Sequence, residues 1–279
     1  MMFENTVIGF IGSGNMAEAM IKGILLKELV APESLFAADP RKERLAYLRE
    51  RYQIKTSSDN REVARVSDIL VLSIKPQVLP KVMKGINLDV RADALVLSII
   101  AGARIKVIVK GLRHAAVVRA MPNTPGQFGE GMTVWTNTPH VSERQHQQAR
   151  QILQALGKEI WVEDENYLDM ATALSGTGPA YVFLFIEALI DAGVHMGFSR
   201  HIAEEMVIQT IKGSVKVVEE LGRHPATLRN MVTSPGGTSA AALYELEKGG
   251  FRTILSKAVF AAYRRSVELG DASEAAIED

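Results

Sequence analysis

The chain has 279 residues, 47% of them hydrophobic, with 32 basic and 32 acidic side chains, so two domains suit it better than one and no global field draws in nucleic acid or an anionic membrane. It contains no cysteine, which excludes a disulfide framework, a thiolate nucleophile and a Cys-ligated metal, and is consistent with a reducing cytoplasm. The start lacks the basic region and apolar stretch of a signal peptide, and no unbroken apolar run approaches a membrane span, residues 94–101 being far too short.

Residues 6–11 form a short apolar run ending in glycines, and residues 15–29 have helical periodicity. A second short strand over 34–38 closes at Asp39-Pro40, before a charged helix over 42–52. Buried strands follow at 69–74, closed by Lys75-Pro76, and at 95–100, closed by Ala101-Gly102. Residues 116–120 and 132–136 are further strands. β-branched runs alternating with helices specify an α/β, Rossmann-type, doubly wound parallel sheet covered on both faces. Near 161–165 the pattern changes to long helices: 179–196, then one preceded by Ser199 and stopped at Gly222, then 225–231, 239–248 and 253–269. The expected division is a dinucleotide-binding domain over 1–163 and an all-α domain over 164–279, with an acidic tail from Gly270 that frays. The helix from Pro179 is apolar almost all round and needs cover on several sides, which predicts a helical dimer interface.

The segment from Gly9 reads G-x-G-x-x-A from Gly12, through Ser13, Gly14, Asn15 and Met16 to Ala17. Gly12 permits the tight turn out of the strand, Gly14 admits a pyrophosphate to the backbone, and Ala17 lets helix and strand pack closely. The helix N-terminus then supplies N–H groups and a positive dipole end. Asp39, at the end of the second strand, suits a ribose 2′-OH and NAD. Arg41, Lys42 and Arg44 follow at once, and a guanidinium suits a 2′-phosphate, so NADP is expected with NAD also open. Three more strand ends are expected beside the cofactor: Ser73-Ile74-Lys75-Pro76, the stretch ending in Ala101-Gly102, and the one carrying Met121 and Asn123. Asn123 both donates and accepts, as recognition of a carboxamide demands; the alternative is a turn former before proline. Lys75 reads as a surface lysine at a strand edge rather than an acid. No spacing of His, Asp or Glu suggests a metal site.

Ser234-Pro235-Gly236-Gly237-Thr238-Ser239 precedes an alanine-rich helix. Hydroxyls, glycines and a helix N-terminus together form an anion cradle, and with no basic residue inside the loop a small carboxylate fits better than a phosphate ester; on these residues alone an ordinary helix cap is the stronger reading. This stretch, ending in Gly249-Gly250-Phe251-Arg252, resembles the signature loop of pyrroline-5-carboxylate reductases. Ser175-Gly176-Thr177-Gly178-Pro179-Ala180-Tyr181, Arg119-Ala120-Met121-Pro122-Asn123-Thr124-Pro125 and Lys75-Pro76-Gln77 resemble three further blocks of that family, in family order.

The resemblance implies a Rossmann domain followed by a helical dimerisation domain, in intertwined dimers often assembled into rings. It implies that the substrate loop of one protomer faces the nicotinamide held by the other. It also implies that Ser234, Gly236, Gly237, Thr238 and Ser239 surround the carboxylate and ring nitrogen of a cyclic imino acid, with Ser239 as the catalytic position, and that Asn60 lies near the cofactor ribose. Ser239 departs from the threonine of well-known members; the hydroxyl is kept and a methyl is lost. A β-hydroxyacid dehydrogenase would need a lysine early in the helix after Gly178, where the chain has Pro179-Ala180-Tyr181-Val182. A reductase of another cyclic imine and a cofactor-sensing dimer are the remaining alternatives.

Overall fold

The computed structural model describes residues 2–278. The first half alternates strand and helix: β1 (Ile8–Ile11), α1 (Asn15–Leu26), β2 (Leu35–Ala38), α2 (Lys42–Tyr52), β3 (Lys55–Ser57), α3 (Asn60–Val66), β4 (Ile69–Leu72), α4 (Leu79–Ile86), β5 (Leu95–Ser98) and α5 (Ile105–Leu112). β6 (Val117–Met121), β7 (Gly131–Asn137), α6 (Glu143–Gln154) and β8 (Gly157–Trp161) complete one sheet in the order β3-β2-β1-β4-β5-β6-β7-β8. The first six strands are parallel, as expected. β7 is not: it runs antiparallel to β6. Residues 122–130 between them are too few for a crossover, which needs a dozen or more.

β1, β4 and β5 are buried along their whole length because helices cover both faces. Alternate residues feed two cores, one holding Ile8, Phe10, Val71 and Trp135 and the other Ile11, Leu70 and Leu72. Strand order reverses at β1, so the crevice beyond its carboxyl end lies between the loops after β1 and β4.

The later helices are α7 (Tyr167–Ala171), α8 (Gly178–His195), α9 (Arg200–Leu221), α10 (Pro225–Met231), α11 (Thr238–Lys248) and α12 (Phe251–Glu278). Ser199 caps α9 by accepting from the Ile202 N–H, and Gly222 ends it at φ 56°. The tail expected to fray from Gly270 is helical as far as it is described: residues 270–278 continue α12, and Arg104 pairs with Asp271 at 2.7 Å and Glu274 at 3.0 Å. The chain divides into two compact units, one running to Thr177 and including the residues from Ala261 on, the other Gly178–Phe260. The change in sequence pattern near 163 thus precedes the change in compactness at 177. α7 explains the gap, since Leu168 and Asp169 are buried in the first unit.

Within Gly178–Phe260 only Ile190, Gly193 and Ala203 are buried, where α8 and α9 pack so closely that a Cβ on Gly193 would lie 2.9 Å from Ala203. Phe183 and Leu184 are 62% and 65% exposed. Eighty-odd residues with so little core are not a self-sufficient bundle. Residues 167–195 also form a stretch long and apolar enough to cross a membrane by length and composition, which a search for unbroken apolar runs misses.

Trp135, fully buried, donates its indole N–H to Glu159 at 2.7 Å, and Arg150 Nε donates to the other carboxylate oxygen at 2.8 Å. Burial opposes ionisation of Glu159, but the hydrogen bonds from Trp135 and Arg150 outweigh it and hold the carboxyl below its ordinary range. A lowered folded pKa contributes stability that is present above the unfolded value and lost as acid protonates the folded carboxylate. Glu159→Gln should therefore destabilise the protein by about 1–3 kcal/mol at pH 7. In urea titrations the gap to the parent should close as the pH falls below the glutamate range; a pH-independent gap would exclude the charge as its source.

Candidate active site

The glycine loop after β1 divides its work between its two glycines. Gly12 sits at φ +89°, and a Cβ there would lie 2.8 Å from the Ser73 carbonyl oxygen and 2.6 Å from Ile74, so only glycine fits. Gly14 caps α1 without any side-chain hydrogen bond and has open space where a side chain would stand. The first-turn N–H groups of Asn15, Met16 and Ala17 are therefore without a side-chain cap, at the positive end of a twelve-residue helix. This loop fits a dinucleotide pyrophosphate: backbone can approach it closely, and an anion meets donors there.

Ser13 differs from the expectation. It is fully buried, its hydroxyl donates to Ala38 O at 3.1 Å, and its N–H donates to Asp39 Oδ2 at 3.0 Å, so both donors are engaged within the protein. Asp39 is also otherwise engaged. Arg41 Nε and Nη2 donate to its two oxygens at 2.8 and 3.0 Å, and the Arg41 N–H adds a third bond at 3.0 Å. Burial works against the Asp39 charge, but the Arg41 and Ser13 hydrogen bonds prevail and hold its carboxyl below the ordinary range. Four accepted bonds fill its lone pairs, so Asp39 braces the loop and has nothing left for a ribose 2′-OH. Arg41 is largely exposed and neutralises that carboxylate. Arg44, the other guanidinium suited to a 2′-phosphate, instead turns back onto the loop carbonyls.

A cleft of about 420 Å³ adjoins Gly12 and Ile74 and is lined by Pro40, Ser58, Asn60 and Lys81 among others. Asn60 and Ile74, two of the expected cofactor positions, both line this cleft. Ser58 and Lys81 were not foreseen: Ser58 follows a three-residue strand, and Lys81 carries no spacing signal on its helix. Ser73 donates its hydroxyl to Gly12 O at 2.8 Å and locks the loop to β4, while Lys75 and Pro76 are exposed just beyond.

The remaining expected positions serve the scaffold. Asn123 Nδ2 donates to Ser175 O at 3.0 Å and its Oδ1 accepts from the Met132 N–H at 2.9 Å, a turn-building role rather than carboxamide reading. A Cβ on Gly176 would lie 2.7 Å from Met121 Cε. Two blocks fifty residues apart in sequence therefore meet here, at a single π-helical turn (Thr172–Gly176). Ala101 is half-buried, and Gly102 is covered: a Cβ there would lie 3.1 Å from Leu269, and its carbonyl accepts from Ser273 at 3.1 Å.

In the second unit, Gly237 N–H donates to Ser234 O at 3.0 Å and closes a turn through Gly236 at φ +69°. α11 starts directly afterwards with no side-chain cap, so its first-turn N–H groups are open. Ser234, Gly236 and Thr238 are exposed, and Gly237 and Ser239 half-buried, at the mouth of this cradle. Among the described residues no group of His, Asp and Glu could hold a metal ion.

A family model described as pyrroline-5-carboxylate reductase dimerisation matches residues 165–269, and one described as NADP oxidoreductase coenzyme F420-dependent matches residues 7–102. A pyrroline-5-carboxylate reductase of Synechocystis is 44% identical over 94% of this chain and 98% of its own length. The chain belongs to the pyrroline-5-carboxylate reductase family. An Escherichia coli member is 36% identical over 94% of this chain and 97% of its own. Among solved structures, the Plasmodium falciparum pyrroline carboxylate reductase with NADP bound has a TM-score of 0.86 at 36% identity, covering 96% of this chain and 99% of that one. A Coxiella burnetii family member reaches 0.87 at 35% identity, covering 95% and 98%.

The two glycines of this reductase should respond differently to alanine. Gly14→Ala, at an ordinary φ with open space, should change stability by about 1 kcal/mol or less and weaken NADP binding about tenfold or more. Gly12→Ala should destabilise the fold by about 2 kcal/mol or more. Thermal melts and a fluorescence titration separate the two; equal behaviour would refute the division of roles.

Proposed function

We propose that this chain reduces pyrroline-5-carboxylate to proline with NADPH, the last step of proline biosynthesis, as a homodimer. The observation that carries the reading is the presence of two open helix N-termini of different kind: the glycine-lined one of α1 for a pyrophosphate, and the hydroxyl-rich one of α11 for a small carboxylate. The neutralised Asp39 supports NADP over NAD, because the usual repulsion of a 2′-phosphate is offset by Arg41.

The reduced nicotinamide supplies a hydride to the imine carbon. An iminium accepts hydride better than a neutral imine and binds already protonated, so the chain need not supply a strong acid. Its task is to position the substrate. The α11 N–H groups hold the carboxylate, with Ser234, Gly236, Gly237 and Thr238 shaping the cradle. The Ser239 hydroxyl orients the ring nitrogen. By the family resemblance, this loop meets the nicotinamide held by the partner protomer, and dimers assemble further into rings.

Two experiments test this. NADPH oxidation followed by absorbance with pyrroline-5-carboxylate should be rapid, and faster than with NADH. Ser239→Ala should turn over about ten- to a hundredfold more slowly, the loss of one hydrogen bond of about 1–3 kcal/mol, with an unchanged melting temperature. Unchanged kinetics would remove Ser239 from the site, and no turnover by the parent would sink the reaction. In sedimentation the parent should run as a dimer or a multiple of one. Phe183→Asp, which puts a charge on the exposed apolar face of α8, should shift it to monomer; a monomeric parent would overturn the assembly.

A further inference from the structure

Behind the glycine loop lies a cluster that the proposed reaction leaves without a role. Arg44, in the first turn of α2, reaches back to the end of β1. Its Nε donates to the Ser13 carbonyl at 2.6 Å, and its Nη2 donates to the Gly14 carbonyl at 3.4 Å and to Glu18 Oε2 at 2.5 Å. Glu18, on α1, accepts on its other oxygen from the hydroxyls of Tyr52 at 2.8 Å and Tyr47 at 3.0 Å. The guanidinium also stands 5.3 Å from the centre of the Tyr47 ring, within cation–π range. The Arg44 and Glu18 side chains are only 17% and 21% exposed, so water screens the pair less than it does a surface ion pair.

Peptide geometry converts these contacts into an orientation. In a trans peptide the carbonyl and the next N–H point in opposite directions. Holding Ser13 O toward α2 turns the Gly14 N–H away from α2; Gly14 O, which α1 already holds through the Glu18 N–H at 3.0 Å and so fixes the Asn15 N–H, is met by Arg44 as well. Asp39 takes the Ser13 N–H, so this short stretch is gripped at successive peptides. The grip matters most at Gly14, which has no side chain of its own to limit its backbone.

We propose that Arg44, held by Glu18 and Tyr47, is a positioning residue that aims the Gly14 and Asn15 N–H groups at the cofactor pyrophosphate. The proposal rests on the cofactor reading above. Arg44 acts through the loop carbonyls rather than by touching the cofactor. A lysine keeps its charge but lacks the fork that spans two carbonyls and a carboxylate.

The test titrates the full-length protein with NADP+ and, separately, with adenosine 2′-monophosphate, which lacks the pyrophosphate. In Arg44→Gln, affinity for NADP+ should fall about ten- to a hundredfold while that for adenosine 2′-monophosphate changes less than about threefold. Arg44→Lys should bind NADP+ at least about threefold more weakly than the parent. Tyr47→Phe keeps the ring and removes one hydrogen bond to Glu18; it should weaken NADP+ about two- to fivefold, and carries the test if Arg44→Gln does not fold. Equal losses for both ligands would mean general disruption of the cleft and overturn the proposal. Parental NADP+ affinity in Arg44→Lys would overturn it too, by showing that charge alone suffices. No imino acid is present in these titrations, so a failure of turnover on pyrroline-5-carboxylate would strike the reading of the reaction and leave this result standing.

Discussion

A guanidinium taken out of water must find carboxylates, and Arg119 on β6 is only 3% exposed. It donates to Glu165 at 2.7 Å and stands 3.6 Å from Asp169. Each partner then ties in another element. Glu165 accepts from the Ile105 N–H at the start of α5, and Asp169 accepts from Ser266 on α12. One buried charge thus gathers a strand, a connecting helix, a helix start and the last helix of the chain. Loss of Arg119 would leave two carboxylates, one of them buried, without their shared counterion, so these elements are constrained to one arrangement. The π-turn that follows α7, with Met121 and Asn123 against it, inherits its place from this network.

Both anion cradles rest on the same physical device, a helix start whose first N–H groups are left without side-chain caps. They differ in what surrounds them. At α1 the surroundings are glycine and a braced acidic residue, so the donors are mostly backbone. At α11 hydroxyls stand beside the N–H groups, which suits a ligand with both a carboxylate and a ring nitrogen to orient.

Much of this was legible in the sequence, and the unread part has a physical pattern. The glycine loop, α2, the Ser199 and Gly222 ends of α9, and the alternation of strands all follow from local rules, because turn and cap chemistry needs particular residues at particular spacings. The sequence position of Asp39 says nothing about how many donors reach it; four do. Ser13, Asn123 and Gly102 likewise sit at the expected strand ends but are claimed by Asp39, Ser175 and α12, partners remote in sequence. The reversal of β7 was hidden because a strand pattern carries no direction; only the short connection before it does. α12 outran its expected end at 269 because Arg104 and Lys106, far upstream, hold Asp271 and Glu274.

That return of α12 has a consequence for biogenesis. The first compact unit joins the residues up to Thr177 with those from Ala261 on. During synthesis the nascent sheet can form long before Ser266, Ser273 and Glu274 leave the ribosome, so Asp169 and the carbonyl of Gly102 must wait for their partners. This unit can therefore begin to fold before the segment that completes it has been made, and any ribosome that stops short of α12 releases a chain with its buried arginine network still open.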